Sequence, residues 1–311
     1  MPVTTDEISS LAIVVPAWNA EKTLEKCLIS VKRQQCFLVV IDDCSTDKTG
    51  EIARKYADYV IRNNERKGKA QSVNEAASFL QFEYTLIVDS DTYLSRDFVT
   101  TLRRSLATFK ADCGSGIPVF IGTSKYARHV AAIYNKMNNG EDWYYNGCCQ
   151  FFRTEFLRKN PLDPKCLIED EELHWRILKN NLKMKAMIIN SYAFTEAPHT
   201  PKQEYRQRLR WVRGAMQLVQ MKMMPRRQGP RPDIAIVTMT ATVISVIIGA
   251  WHGPLWALAI PLLVPAAIIV LSMGRLRWGF NRYLIPLFCL DDIVFFEALF
   301  KKKHNPQEDW K

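Results

Sequence analysis

The chain has 311 residues, 48% of them hydrophobic, which is enough to close a core over one large domain with an appendage and too apolar for a disordered protein. Lys and Arg outnumber Asp and Glu 42 to 32, and the position of the excess is more telling than its size: nine basic residues and one acid fall between Lys202 and Arg231, directly ahead of a long uncharged stretch. That placement favours an anionic membrane surface and argues against nucleic acid as the partner.

Met1 to Ser10 is polar and acidic, resembling neither a signal peptide nor a leading membrane helix. Leu11-Ala12-Ile13-Val14-Val15 then reads as a buried strand stopped by Pro16, and Glu21 to Arg33 carries helical periodicity through Leu24, Leu28 and Val31. Phe37 to Ile41 is a second strand, ending at Asp42-Asp43, and a helix follows from about Lys48 to Tyr56. After a short strand at Tyr59-Val60-Ile61 comes the basic turn Arg66-Lys67-Gly68-Lys69, then a helix over Ala70 to Leu80. Leu86, Ile87 and Val88 form the apolar end of a further strand that runs into Asp89-Ser90-Asp91. Strands alternating with helices of this length predict βαβ units and an α/β fold with a mostly parallel sheet.

Open parallel sheets bind ligands beyond the carboxyl ends of their strands. Three polar clusters fall at successive strand ends: Trp18-Asn19, Asp42-Asp43, and Asp89 with Asp91. Two hard oxygen donors as close as Asp89 and Asp91 suit Mn2+ or Mg2+ held jointly with substrate phosphates; the alternative is an acidic turn capping the next helix. No Gly-x-Gly-x-x-Gly follows the first strand, and there is no Gly-x-x-x-x-Gly-Lys-Ser/Thr loop. A nucleotide held by side-chain carboxylates and a metal is the option left.

Further on, Glu169-Asp170-Glu171-Glu172 precedes Leu173 and Ile177 at helical spacing, so the acids crowd a helix N-terminus, where its dipole favours them with or without a catalytic role. A helix from about Pro201 to Met223 sets Arg206 and Arg210, and likewise Gln207 and Trp211, one turn apart. The aromatics of Trp143-Tyr144-Tyr145 and Phe151-Phe152 suit either a sugar or a core. The eight cysteines show no paired metal spacing or compact disulfide framework, and the five histidines are scattered. A reduced, cytoplasm-facing domain is expected.

Six segments in order resemble the inverting family 2 glycosyltransferases of GT-A (Rossmann-like) fold: Val15 to Glu21, Ile41 to Thr49, Lys67-Gly68-Lys69 with Asn74, Asp89-Ser90-Asp91, Glu169-Asp170, and Gln207-Arg208-Leu209-Arg210-Trp211. The resemblance implies donor contacts at Pro16, Ala17, Asn19, Glu21, Asp42, Asp43, Lys69, Asp89 and Ser90, with Asp43 against the uracil or ribose and Lys69 near base or phosphates. It further implies Asp91 as the direct metal ligand beside Asp89, Asp170 as general base, and Gly147, Cys148, Glu169 and Trp211 on the acceptor side. Gln207, Arg208, Arg210 and Trp211 are expected to close over the diphosphate. The family often has Glu where this chain has Ala20, which leaves Glu21 as the nearest acid.

Between Asp233 and Arg275 lie about forty residues without a formal charge, interrupted at Trp251-His252-Gly253-Pro254, where one bilayer crossing needs roughly 20. Two transmembrane helices are predicted, at about 234–252 and 255–273, with both ends cytoplasmic because Arg226, Arg227 and Arg231 precede them and Arg275, Arg277 and Arg282 follow. Leu284 to Phe300, with Asp291, Asp292 and Glu297, reads as an interfacial helix or a third crossing. The expected organisation is a cytosolic catalytic domain over 1–223 and a membrane region over 224–311.

The expected activity is metal-dependent inverting transfer of a sugar from a nucleoside-diphosphate sugar, UDP-linked, to a lipid or lipid-linked acceptor at the cytoplasmic membrane face. The arginine-tryptophan motif is similar to that of processive synthases of cellulose, chitin, hyaluronan and poly-N-acetylglucosamine. Those enzymes carry more membrane helices than the two or three expected here, so polymer synthesis is the second expectation. A GT-A-like nucleotidyltransferase and a non-catalytic sugar-nucleotide sensor are the remaining classes.

Overall fold

The computed structural model describes residues 11–137, 147–180 and 184–223. They fall in two compact units, one reaching Glu204 and one beginning at Tyr205. In chain order the first unit contains β1 (Leu11–Ala17), α1 (Leu24–Lys32), β2 (Phe37–Asp42), α2 (Thr49–Tyr56), β3 (Tyr59–Arg62), α3 (Lys69–Phe79), β4 (Tyr84–Val88) and β5 (Thr92–Leu94). It continues through α4 (Phe98–Phe109), β6 (Cys113–Ile121), α5 (Lys125–Met137), β7 (Cys149–Arg153), α6 (Thr154–Lys159), α7 (Glu169–Lys179) and β8 (Ala186–Glu196). A helix of 20 residues, α8 (Pro201–Gln220), begins in the first unit and ends in the second.

All seven residues of β1 are buried, and its alternation serves two layers. Ile13 and Val15 pack with Leu24, Leu28 and Val31 of α1, whereas Ala12 and Val14 pack with Ala76 of α3 and with Leu80. A strand covered on both faces has no polar side to show, which is why its sequence is a continuous apolar run. α1 starts later than the apolar period suggests, at Leu24, after a tight turn in which the Ala20 carbonyl accepts from the Thr23 and Leu24 amides.

Among the described residues the sheet has eight strands in the order β3-β2-β1-β4-β7-β6-β8-β5. β3, β2, β1 and β4 run parallel, as expected from the βαβ pattern. Beyond β4 the expectation of a mostly parallel sheet needs correcting to a mixed one: β7 is antiparallel to both β4 and β6, and β5 is antiparallel to β8. The reversal positions the site. With Val88 opposite Cys149, the chain entering β7 passes the carboxyl end of β4, and the Asp89 amide donates to the Cys148 carbonyl at 2.9 Å.

Leu173 and Ile177 sink into a cluster with Val73, Ile87, Phe152 and Leu157. Full burial of such a side chain is worth about 1.5–3 kcal/mol. This anchors α7 and aims its acidic first turn at the same rim. Among the described residues no helix is long and apolar enough to cross a membrane. The predicted membrane helices at 234–252 and 255–273 and the interfacial helix at 284–300 lie outside the described residues.

Candidate active site

The loops after β1 and β2 are tied to each other by their own polar side chains. Asn19 adopts a left-handed conformation (φ 47°), accepts from the Thr46 amide at 2.9 Å, and donates its own amide to Ser45 Oγ at 3.0 Å. The Ala20 amide donates to Thr49 Oγ1 at 2.7 Å. Glu21 is exposed, and its carboxylate accepts from the Lys48 amide at 3.4 Å. Pro16 and Ala17 form the buried end of β1, level with Ile41 and Asp42, and the Ala17 carbonyl receives the Asp43 amide.

Asp42 and Asp43 serve the same framework. Asp42 is fully buried, pairs with Arg62, and accepts from the Ser45 amide at 2.9 Å. Asp43 Oδ1 accepts from the Lys67 amide at 2.9 Å and Asn63 Nδ2 at 2.7 Å, while its Oδ2 accepts from the Gly68 amide at 2.8 Å. Gly68 has φ 85°, a conformation that glycine adopts without a Cβ penalty, and α3 starts at the next residue. Both carboxylates are thus engaged by the protein itself, Asp42 with Arg62 and the Ser45 amide and Asp43 with the basic turn, a role the resemblance did not imply.

The centre of the site lies between β4, β7 and α7. Lys69, buried at the first residue of α3, places its ammonium 2.7 Å from Asp89 Oδ1, 2.7 Å from the Gly147 carbonyl and 3.3 Å from Glu169 Oε1. Burial works against its charge, but Asp89 and Glu169 outweigh that and hold its pKa above the usual lysine value. Asp89, Ser90 and Asp91 are half-buried in a tight turn closed by the Thr92 amide on the Asp89 carbonyl. The structure therefore brings together Lys69, Asp89, Gly147, Cys148 and Glu169, which the sequence scatters over a hundred positions.

Asp170 follows Glu169 into this centre. Burial, then the charges of Glu169 and Glu171, raise its carboxyl from the ordinary 3.8 to about 7, against the opposing pull of Lys69. A Cβ built on Gly147 would stand 2.5 Å from Asp170 Oδ2, so the carboxylate lies directly against that glycine. A carboxylate with a pKa near the working pH, at the rim of an α/β sheet, is suited to take a proton from a hydroxyl. The thiol of Cys148 is pushed well up, first by burial and then by Cys149 and Asp89, so it is not a nucleophile at neutral pH.

The donor set fits a small hard cation shared with a ligand. Asp89 and Asp91 offer oxygen donors one residue apart, and Asp89 already holds a cationic group, the Lys69 ammonium. Among the described residues no three His, Cys, Asp or Glu side chains converge as ligands. Two carboxylates without a protein-made cage suit Mg2+ or Mn2+ whose remaining positions go to water and phosphate oxygens.

Two features escape a reading of the sequence. The Arg66 guanidinium lies over the Trp18 ring, 3.6 Å from its centroid, and joins the loop after β1 to the turn that Asp43 holds. At the end of β8, Glu196 accepts from Tyr93 at 2.6 Å and lies 3.1 Å from His199 Nε2, joining β5 to the segment before α8. Both contacts span loops that no sequence period links. Gln207, Arg208, Arg210 and Trp211 are on α8, in the second unit.

Residues 12–161 match the family model described as glycosyl transferase family 2. Similar curated proteins include an uncharacterized glycosyltransferase, YaiP, of Escherichia coli (strain K12), 24% identical over 222 residues that cover 65% of this chain and 55% of that protein. Another is the poly-beta-1,6-N-acetyl-D-glucosamine synthase of Staphylococcus aureus (strain COL), 20% identical over 70% of this chain and 57% of its own length. The chain spans about half the length of the curated relatives it matches. Among solved structures, the mannosyltransferase PcManGT from Pyrobaculum calidifontis, in complex with GDP-Man and Mn2+, is similar with a TM-score of 0.59 at 17% identity. That alignment covers 94% of this chain and 88% of the other, a likeness of fold.

Proposed function

We propose that this chain, which carries a glycosyltransferase family 2 domain over residues 12–161, transfers a sugar from a nucleoside-diphosphate sugar to a lipid or lipid-linked acceptor at the cytoplasmic face of a membrane, inverting the anomeric carbon. The observation that carries this reading is Asp170, a half-buried carboxylate with a pKa of about 7 set beside the Asp89 cluster. A group of that kind accepts a hydroxyl proton near neutral pH.

Asp170 takes the proton from the acceptor hydroxyl as its oxygen forms the bond to the anomeric carbon. The bond from that carbon to the diphosphate oxygen breaks on the opposite face, and the electron pair leaves with the nucleoside diphosphate. Asp89 and Asp91 would hold Mn2+ or Mg2+, which when bound supplies charge neutralisation of the diphosphate. Lys69 and Glu169 keep the acid cluster in place. The loop bonded to Asp43, with Trp18 against its Arg66, offers the nucleoside a flat apolar and cationic surface. UDP is the nucleotide of choice, and the hexosyl group is the expected cargo.

The membrane side of the proposal draws on the uncharged run after Asp233 and the arginines flanking it. A second reading, processive polysaccharide synthesis, is favoured by the similarity to a poly-N-acetylglucosamine synthase over 70% of the chain and by Gln207-Arg208-Leu209-Arg210-Trp211. Incubating the detergent-solubilised protein with labelled nucleoside-diphosphate sugars, Mn2+ and membrane lipid tests both. Short lipid-extractable products support single transfer, and a long polymer supports the synthase. The absence of nucleoside diphosphate release across the donors overturns both readings.

A further inference from the structure

We propose, on the glycosyltransferase reading above, that Lys69 is a positioning residue for the acceptor side of the site: its buried ammonium ties the Gly147 loop and the first turn of α7 to the end of β4. It thereby fixes Asp170 relative to the carboxylates that face the donor. An ammonium has three donors. Here they meet three acceptors from three separate elements, Asp89 Oδ1 at 2.7 Å, the Gly147 carbonyl at 2.7 Å and Glu169 Oε1 at 3.3 Å. None is left over for a phosphate, and the side chain is buried, unlike those of Arg66 and Lys67 in the same turn.

The origin of Lys69 is as fixed as its head. Asp43 accepts from the Lys67 and Gly68 amides, so the backbone entering α3 is held from the end of β2. The side chain therefore transmits position from the donor half of the sheet to two acceptor-side segments, the turn before β7 and the start of α7. Asp170 is held between these two: its neighbour Glu169 is bonded to Lys69, and its carboxylate lies against Gly147, whose carbonyl is bonded to the same ammonium. Three acceptors converging on one tetrahedral centre suit an ammonium and not a planar guanidinium, so Lys69→Arg does not substitute.

The test uses the full chain as Lys69→Met, and as the charge-balanced Lys69→Met/Glu169→Gln, which leaves no buried unpaired carboxylate at Glu169 and preserves folding. Hydrogen exchange is read on peptides covering Gly147–Arg153 and Glu169–Lys179, with β1 and β2 as internal references. Exchange is expected to quicken in those two segments alone in both variants. The kcat for transfer is expected to fall by about 100-fold, the scale of an ångström of misplacement, while UDP affinity, measured without Mn2+ because Lys69 also pairs with the metal-facing Asp89, changes far less than kcat.

Unchanged exchange in the two segments overturns the proposal. So does a loss of UDP affinity in step with the loss of transfer, which would make Lys69 a phosphate contact. If the wild-type protein turns over no sugar nucleotide, the functional reading fails while the exchange data still decide whether Lys69 holds these segments.

Discussion

Gly147 and Asp170 are in direct contact through the bare Cα of the glycine: a methyl group built there would lie 2.5 Å from Oδ2 and 3.2 Å from Cγ of the aspartate. Gly147→Ala therefore displaces the carboxylate and leaves the surrounding core intact, since Gly147 is half-exposed at a turn. We predict that kcat for transfer falls by about 100-fold with nucleotide binding unchanged. Steady-state kinetics beside a UDP titration check this, and an alanine variant with wild-type kcat would mean that Asp170 does not act from this position.

The raised carboxyl of Asp170 fixes the sign of two pH effects. As a base it must be ionised, so kcat/KM should climb as pH rises through about 7. In stability the effect runs the other way. Because its folded pKa is about 7 against an ordinary 3.8, the folded protein holds the proton more tightly, and stability is lost as pH rises across that window. Asp170→Asn removes this loss. Its melting temperature, relative to wild type, is expected to rise between the two pKa values and level off above the upper one, while transfer drops on the order of 100- to 10,000-fold. A variant whose relative stability ignores pH contradicts the assignment.

Asp43 is predicted to matter first for stability. Its carboxylate receives the Lys67 and Gly68 amides and the Asn63 side chain, and removing it leaves buried donors unpaired. Asp43→Ala should cost about 3 kcal/mol in denaturant unfolding, the scale of one or two orphaned partners of a charged acceptor. An unfolding curve that matches wild type, with only UDP binding weakened, would instead assign Asp43 to the nucleotide alone.

The first half of the sheet could be read from the chain because β1, β2 and β4 are covered on both faces and so appear as apolar runs, β2 and β4 ending in acids and β1 in Trp18-Asn19. The second half could not. β6 (Cys113–Ile121) contains two glycines and a proline, residues that interrupt a strand pattern, so no strand was expected there. The glycines are there because a Cβ on Gly114 would lie 1.9 Å from the Met187 carbonyl, and one on Gly116 would lie 2.4 Å from the Phe98 ring. Pro118 is tolerated because the pairing with β7 reaches only Ser115; beyond it β8 alone pairs with β6 as a strand among the described residues, and the Asn135 side chain takes the Phe120 amide and carbonyl. The site shows the same division. The spacing of Asp89 and Asp91 and the acids before Leu173 were visible in sequence, whereas the convergence on Lys69 depends on β7 running backwards beside β4.

That convergence also governs how a cation should bind. Lys69 already neutralises one oxygen of Asp89, and among the described residues no third His, Cys, Asp or Glu side chain joins the pair Asp89 and Asp91 as a ligand. Mn2+ by itself should therefore stabilise the fold only slightly, and UDP, whose phosphates complete its shell, should stabilise it far more in its presence. At a hundredfold excess over the dissociation constant the joint effect would be about 2.7 kcal/mol. Thermal unfolding with Mn2+, UDP, both, and both plus chelator measures the synergy directly. Asp91→Asn is expected to abolish the Mn2+-dependent increment while leaving the ligand-free melting temperature near wild type, because Asp91 is half-buried at a turn and asparagine keeps its shape. Equal stabilisation by UDP with and without the metal would detach Asp91 from any cation and assign the diphosphate to the basic residues instead.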